Sequence, residues 1–116
     1  MAGETIVFFA KYTSLSGSAT PGTKYYSDPY DVTSYKTVIL EGYNGGRTST
    51  ATISIQAQQS SDLITWSSLG SAIAPTVGNV ASVTLTDPAR YVRLEVTIVG
   101  ADGTVTFWAK AVARDS

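Results

Sequence analysis

From Tyr91 to Ile98 the chain alternates strictly: Val92, Leu94, Val96 and Ile98 are aliphatic, and Tyr91, Arg93, Glu95 and Thr97 between them are polar or amphipathic. Successive side chains of a pleated strand point to opposite faces, so a period of two makes one oily face and one wet face. The pattern recurs in 50–58, where Ala51, Ile53, Ile55 and Ala57 form a core row against a solvent row of Thr52, Ser54, Gln56 and Gln58. It returns in Val105, Phe107, Ala109, Ala111 and Ala113. No stretch repeats apolar residues every three to four positions, so the chain is predicted to be all-β.

The other elements follow from the same reasoning. Residues 6–12 predict a strand covered on two sides, because Ile6, Val7, Phe8 and Phe9 are apolar on both faces. Residues 13–24 are Ser, Thr, Gly and Pro with almost nothing to bury, which predicts a long flexible loop or arm. The Tyr-rich segment 25–35 predicts irregular structure, with a turn at Asp28-Pro29 and Asp31 capping a short helical turn over 32–35. Residues 36–43 predict a strand with Val38 and Leu40 on one face, ended by a turn at Asn44-Gly45-Gly46, with 50–58 as the partner strand. A turn at Ser61 and Asp62 leads to Trp66 and Leu69, and a further strand runs through Val80, Val83 and Leu85. The last two strands are expected to form a terminal hairpin around Gly100-Ala101-Asp102-Gly103. About eight short strands in 116 residues predict a single domain over 1–116, an antiparallel two-sheet β-sandwich of jelly-roll or immunoglobulin-like type.

The residue inventory excludes most chemistry. The chain has no Cys and no His, which removes disulfides, thiolate metal sites, Ser-His and Cys-His nucleophilic machinery and His-rich zinc sites. Asp28, Asp31, Asp62, Asp87 and Asp102 all stand beside turn residues, where a carboxylate caps backbone amides instead of serving as half of a glycosidase pair. Asp28 and Asp31 carry the hard oxygen ligands that calcium takes, but at a spacing that matches no recognised loop, so no metal or cofactor is expected. Gly45 and Gly46 lack the following Lys and helix of a phosphate cradle. A net charge of −1 with scattered basic residues gives no nucleic-acid footprint. No apolar run is long enough to cross a bilayer, and the N-terminus lacks the basic and long apolar regions of an export signal. The expectation is a protein that is not an enzyme.

Two stretches carry a family resemblance. Residues 53–70, ISIQAQQSSDLITWSSLG, and 87–96, DPARYVRLEV, are similar to the strand, Ser-Asp turn and Trp pattern and to the Ala-Arg-Tyr-Val-Arg strand of discoidin, or galactose-binding-like, jelly-roll modules. YDVTSYKTVILEG, 30–42, is compatible with the segment that opens that fold. The resemblance implies a galactose-binding-like jelly roll whose end loops bind carbohydrate or lipid head groups, with Trp66 packing in the core and Arg90 and Arg93 belonging to a strand. The chain departs from the family in being short and in lacking the cysteines that often tie its termini.

Tyrosine supplies broad, stiff, amphipathic contact area, and Tyr25, Tyr26, Tyr30 and Tyr43 are therefore the expected partner-binding rings, with Arg47 and Arg93 as the accompanying cations. Tyr35 belongs to the same group of rings. The outer row that contains Arg93 and Glu95 also suits an ordinary solvated strand face, with Arg93 pairing to Glu95 or to a neighbouring strand.

A composition rich in Ser, Thr, Gly and Tyr with only 15% charged residues is of extracellular type. Combined with the missing export signal, it fits a virion component, made in the host cytoplasm and released by lysis. The expectation is a phage structural protein at the virion surface, a capsid decoration or cementing subunit that oligomerises and contacts a major capsid protein. The alternative is a discoidin-like carbohydrate-binding module of a phage tail or a secreted enzyme.

Overall fold

The computed structural model describes residues 3–115, and they contain nine strands and no helix. In chain order these are β1 (Gly3–Ser16), β2 (Thr23–Tyr26), β3 (Tyr30–Asp31), β4 (Thr37–Arg47), β5 (Thr52–Ser60), β6 (Ser67–Ser68), β7 (Val80–Thr86), β8 (Tyr91–Val99) and β9 (Thr104–Arg114). They form two antiparallel sheets. Sheet A runs β1-β9-β4-β7; sheet B runs β2-β8-β5-β6, with β3 continuing the edge beside β8. The all-β antiparallel two-sheet sandwich expected from the alternation is the observed fold, and it agrees with the jelly roll that the resemblance implies.

The core lies where the alternation put it. Val92, Leu94, Val96 and Ile98 of β8 and Ile53, Ile55 and Ala57 of β5 are buried from sheet B. Val105, Phe107, Ala109, Ala111 and Ala113 of β9 and Val38 and Leu40 of β4 are buried from sheet A. Three alanines on β9 face a sheet whose central row is branched and bulky, the small-against-large complement that a close-packed interior requires. The inward row of β4 continues as Gly42 and Asn44. A Cβ at Gly42 would sit 2.7 Å from Ile55 Cδ1, so the missing side chain is what admits Ile55. Asn44, 2% exposed, is satisfied: its Nδ2 donates to Pro75 O at 3.2 Å and its Oδ1 accepts from Gly46 N at 3.0 Å.

Strand pairing departs from expectation in four places. Asn44-Gly45-Gly46 is no hairpin turn but a bulge inside β4, and β4 and β5 belong to different sheets. The terminal hairpin is absent as well: β8 pairs with β2, β3 and β5, β9 pairs with β1 and β4, and residues 100–103 carry the chain from one sheet to the other. The segment 13–24 is no long arm, because 13–16 extend β1 and 23–24 open β2, leaving 17–22 as the connection. Residues 32–35 form one hydrogen-bonded turn that does not continue as a helix: Tyr35 N donates to Val32 O at 3.0 Å, and Asp31 caps it as expected, its Oδ1 accepting from Thr33 N at 3.0 Å and Thr33 Oγ1 at 2.6 Å. Finally, β1 is an edge strand. Ile6 and Phe8 point into the core, whereas Val7 is 50% exposed on the outer face, so the strand is covered on one side within this chain.

Candidate functional site

The two sheets present outer faces of different chemistry. On sheet B the outward residues of β5 and β8 are Thr52, Ser54, Gln56 and Gln58 beside Tyr91, Arg93, Glu95 and Thr97. Lys24 and Tyr26 of β2 flank them on the far side of β8. At one end of this face the Arg93 guanidinium carbon lies 4.3 Å from the ring centroid of Tyr26 and 4.3 Å from that of Trp66. Strand order explains the arrangement: Tyr26 comes from the strand on one side of β8, and Trp66 precedes β6, beyond β5 on the other. Ring faces are electron-rich, so a guanidinium between two of them is attracted from both sides.

The polar groups around the stack are interlinked. Arg93 Nε donates to Gln58 Oε1 at 2.8 Å, and Gln58 Nε2 donates to Glu95 Oε2 at 3.4 Å. Tyr26 Oη donates to the same carboxylate oxygen at 3.1 Å, and Lys24 Nζ lies 3.5 Å from Glu95 Oε1. Arg93 therefore pairs with the neighbouring strand and not with Glu95, one of the two outcomes left open by the sequence.

Trp66 is held in place by its own turn. Ser60 Oγ accepts from Leu63 N at 2.9 Å and donates to Asp62 Oδ1 at 2.9 Å; the same oxygen accepts from Ile64 N at 2.8 Å and Thr65 N at 2.9 Å. Donation from the Thr65 and Ile64 amides, with the Ser60 hydroxyl, holds the Asp62 carboxyl below the usual carboxylate range. This corrects the sequence reading of Trp66, which is half-buried over Arg93 at the surface and not a core residue.

The outer face of sheet A is more apolar. Val112 of β9 sits opposite Ile39 of β4, and Trp108 opposite Tyr43, which in turn faces the exposed Val80 of β7. The Tyr43 and Trp108 rings stack with centroids 5.7 Å apart, and Lys110 Nζ lies 5.2 Å from the Trp108 centroid and 3.8 Å from Glu41. Beside them, where the register between β1 and β9 shifts, Val7, Phe9, Ala10, Lys11, Trp108 and Lys110 line a groove of about 310 Å³. A second recess, about 440 Å³, opens at the end of the sandwich between Asn44, Arg47, Ile53 and the 74–77 loop, and Arg47 Nη1 donates there to Ala51 O at 3.3 Å.

The six expected binding residues are therefore not one site. Tyr26 and Arg93 meet on sheet B, Tyr43 lies on sheet A, and Arg47 is at the end recess. Tyr25 and Tyr30 pack against the core: Tyr25 Oη donates to Ser16 O at 2.7 Å, and Tyr30 meets Phe8 edge-on at 5.1 Å while donating to Val7 O at 3.1 Å. Tyr35 likewise packs on the core and donates to Glu4 Oε1 at 3.1 Å. Asp31, weighed for calcium, is engaged by Thr33 and by Arg90 Nε at 3.3 Å; the described residues contain no group of three or more acidic, His or Cys side chains placed to hold a metal ion.

No described protein family and no curated protein matches the chain. Solved structures do match in fold. VP2 of infectious bursal disease virus, as the D431N mutant in T=1 particles, superposes with a TM-score of 0.63 at 12% identity over 98% of this chain. This chain spans about a third, 32%, of that VP2 chain. A Bacillus endospore appendage protein, of a family of disulfide-linked pili, matches at a TM-score of 0.55 and 16% identity over 99% of this chain and 88% of its own. The C-terminal CBM6 of LamC, a marine laminarinase from Zobellia galactanivorans, matches at 0.51 and 7% identity over 97% of this chain and all of its own (100%). Identities this low establish the sandwich fold, in agreement with the galactose-binding-like resemblance of 53–70 and 87–96.

Proposed function

We propose that this chain is a non-catalytic structural subunit of a virion, a capsid decoration or cementing protein that works through contacts with copies of itself and with a capsid lattice. The observation that carries the proposal is the asymmetry of the sandwich. One outer face is polar, whereas the other sets Val112 against Ile39 and Trp108 against Tyr43 with no strand of the described residues over them. Burying large aromatic and aliphatic groups of this kind is what drives protein association, with Trp and Tyr as its commonest anchors. The exposed Val7 on edge strand β1 continues the same surface toward the edge of sheet A. The fold is shared with proteins whose names place them in viral particles and in pili, which supports a role in assembly at a particle surface.

Sedimentation velocity tests the proposal. The wild-type protein is expected to form a closed oligomer, and Ile39→Ser with Trp108→Ser is expected to give a folded monomer. A wild-type protein that stays monomeric at high concentration refutes self-assembly through this face.

A second reading is favoured by the other sheet. The polar face of sheet B, with Tyr26 and Trp66 at one end, suits a carbohydrate-binding module, and one of the matching folds is such a module. The two readings use opposite faces and are compatible in one molecule.

A further inference from the structure

We infer that the stack of Tyr26, Arg93 and Trp66 is a receptor for the carboxylate of an acidic saccharide, an inference that rests on the second reading above, in which sheet B binds carbohydrate. Arg93 is held before any ligand arrives. Its plane is fixed by rings 4.3 Å away on either side and by the 2.8 Å hydrogen bond from Nε to Gln58. Its two Nη groups have no acceptor among the described residues, so the fork that pairs bidentately with a carboxylate is intact and presented outward.

The acidic neighbour does not compete for that fork. Glu95 stands two residues along the same face, yet its carboxylate is engaged by Lys24, Tyr26 and Gln58. Lys24 balances Glu95, and the charge of Arg93 is left without an acidic partner among the described residues. A carboxylate is the group that both neutralises it and matches its geometry. The flanking rings displace water from the sides of the guanidinium, which strengthens an ion pair formed at its open end.

The surroundings select a saccharide over a protein side chain. The strip that leads away from Arg93 is polar throughout, with Ser54 opposite Thr97 and Gln56 opposite Glu95, whose carboxylate is already engaged by Lys24, Tyr26 and Gln58. Its described residues offer hydroxyl, amide and carboxylate groups and no aliphatic side chain to receive the buried anchor that a protein partner requires. Sugar hydroxyls are the natural complement of such a strip, and the apolar faces of a pyranose ring suit the exposed parts of Tyr26 and Trp66.

The test is titration calorimetry of the full chain with trigalacturonic acid, its methyl ester, α2,3-sialyllactose, lactose, a sulfated disaccharide and a Glu-rich peptide. Binding of at least one carboxylate sugar is expected, weakened about tenfold or more when the carboxylate is esterified or absent. Arg93→Lys, which keeps the charge but loses the fork, is expected to cost about tenfold as well, with an unchanged circular dichroism spectrum. The comparison of acid with ester uses the wild-type protein and needs no variant to fold. Acidic and neutral sugars binding equally would overturn the carboxylate assignment while leaving carbohydrate recognition standing. Absence of binding to every saccharide overturns both. Equal or tighter binding of the sulfated sugar, or binding of the peptide alone, also overturns the assignment.

Discussion

Gly103→Ala puts one methyl group at the connection between β8 and β9, and the sign of its effect depends on where that connection lies. If β8 and β9 formed a hairpin, 100–103 would be an exposed turn, and alanine would be neutral or stabilising by about 0.4–1 kcal/mol through the unfolded chain. In the sandwich the connection crosses from one sheet to the other over the start of β5. Gly103 is buried there, and a Cβ would sit 2.6 Å from Ala51 Cβ and 3.3 Å from Thr48 O. Overpacking of this kind costs about 1–3 kcal/mol. Unfolding entropy near the midpoint is about 2.1 cal/mol/K per residue. For 116 residues that is about 0.24 kcal/mol/K, so the melting temperature should fall by about 4–12 °C. The clash is specific to one atom, which allows a second step. Ala51→Gly removes the opposing Cβ, and a double-mutant cycle read by urea unfolding should show a favourable coupling of about 0.5–3 kcal/mol between the two sites. Gly3→Ala is the control, because its Cβ would meet nothing closer than 3.5 Å. A Gly103→Ala protein as stable as the wild type, or strict additivity with Ala51→Gly, would refute this placement of the connection.

Three further outcomes are expected. Asn44→Ala should unpair both the Gly46 amide and the Pro75 carbonyl in a buried setting, at about 1–3 kcal/mol for each group left unsatisfied, seen as a lower urea midpoint with an unchanged m value. Ser27→Ala should cost about 1–3 kcal/mol by the same measurement, because Ser27 Oγ accepts from the buried Leu94 amide at 2.8 Å. Asp31 is held below the usual carboxylate range mainly by the Thr33 hydroxyl and amide, and Asp62 by the Thr65 and Ile64 amides. The folded state thus binds fewer protons than the unfolded one in mild acid. The contribution of both groups is complete above the unfolded carboxylate pKa and is lost as pH falls through the lower folded values. Urea unfolding across that acid range should show stability dropping less steeply in the Asp31→Asn, Asp62→Asn double variant.

Faces were legible in the sequence and neighbours were not. The inward rows of β5, β8 and β9 were all identified, because a two-residue period states which side chains face the core whatever lies alongside. It carries no information about which strand supplies the hydrogen bonds. Gly100 to Gly103 and Asn44 to Gly46 have the residue types of tight turns, which by themselves predict hairpins. In the structure one switches sheets and the other bulges within a strand, and both uses need the same small, flexible residues. Val7 shows the reverse error. Its apolar side chain suggested a covered face, but edge strands also carry outward aliphatics, and coverage depends on strand order.

The candidate site follows the same division. Arg93 and Tyr26 were singled out individually, but their meeting required β2 to lie beside β8, a pairing between segments about 70 residues apart that no local pattern announces. The discoidin-like resemblance implies a core position for Trp66, yet the signal for its true position is present in the sequence. Ser60 and Asp62 form the side-chain-capped turn that Ser and Asp two residues apart favour, and such a turn lifts the following residues off the strand toward solvent. A wet row ending in Arg beside a strand that leads into such a turn has an aromatic residue delivered over it from the surface side. On that logic, shortening the turn should matter more to sheet B than changing any residue within it. Deleting Leu63 should leave the core rows intact while withdrawing Trp66 from Arg93. The blue-shifted part of the tryptophan emission arising from the half-buried Trp66 would then move toward that of solvated indole, read in a Trp108→Phe background so that only one ring emits. Emission that does not move would mean that the Ser60 and Asp62 turn is not what places the ring.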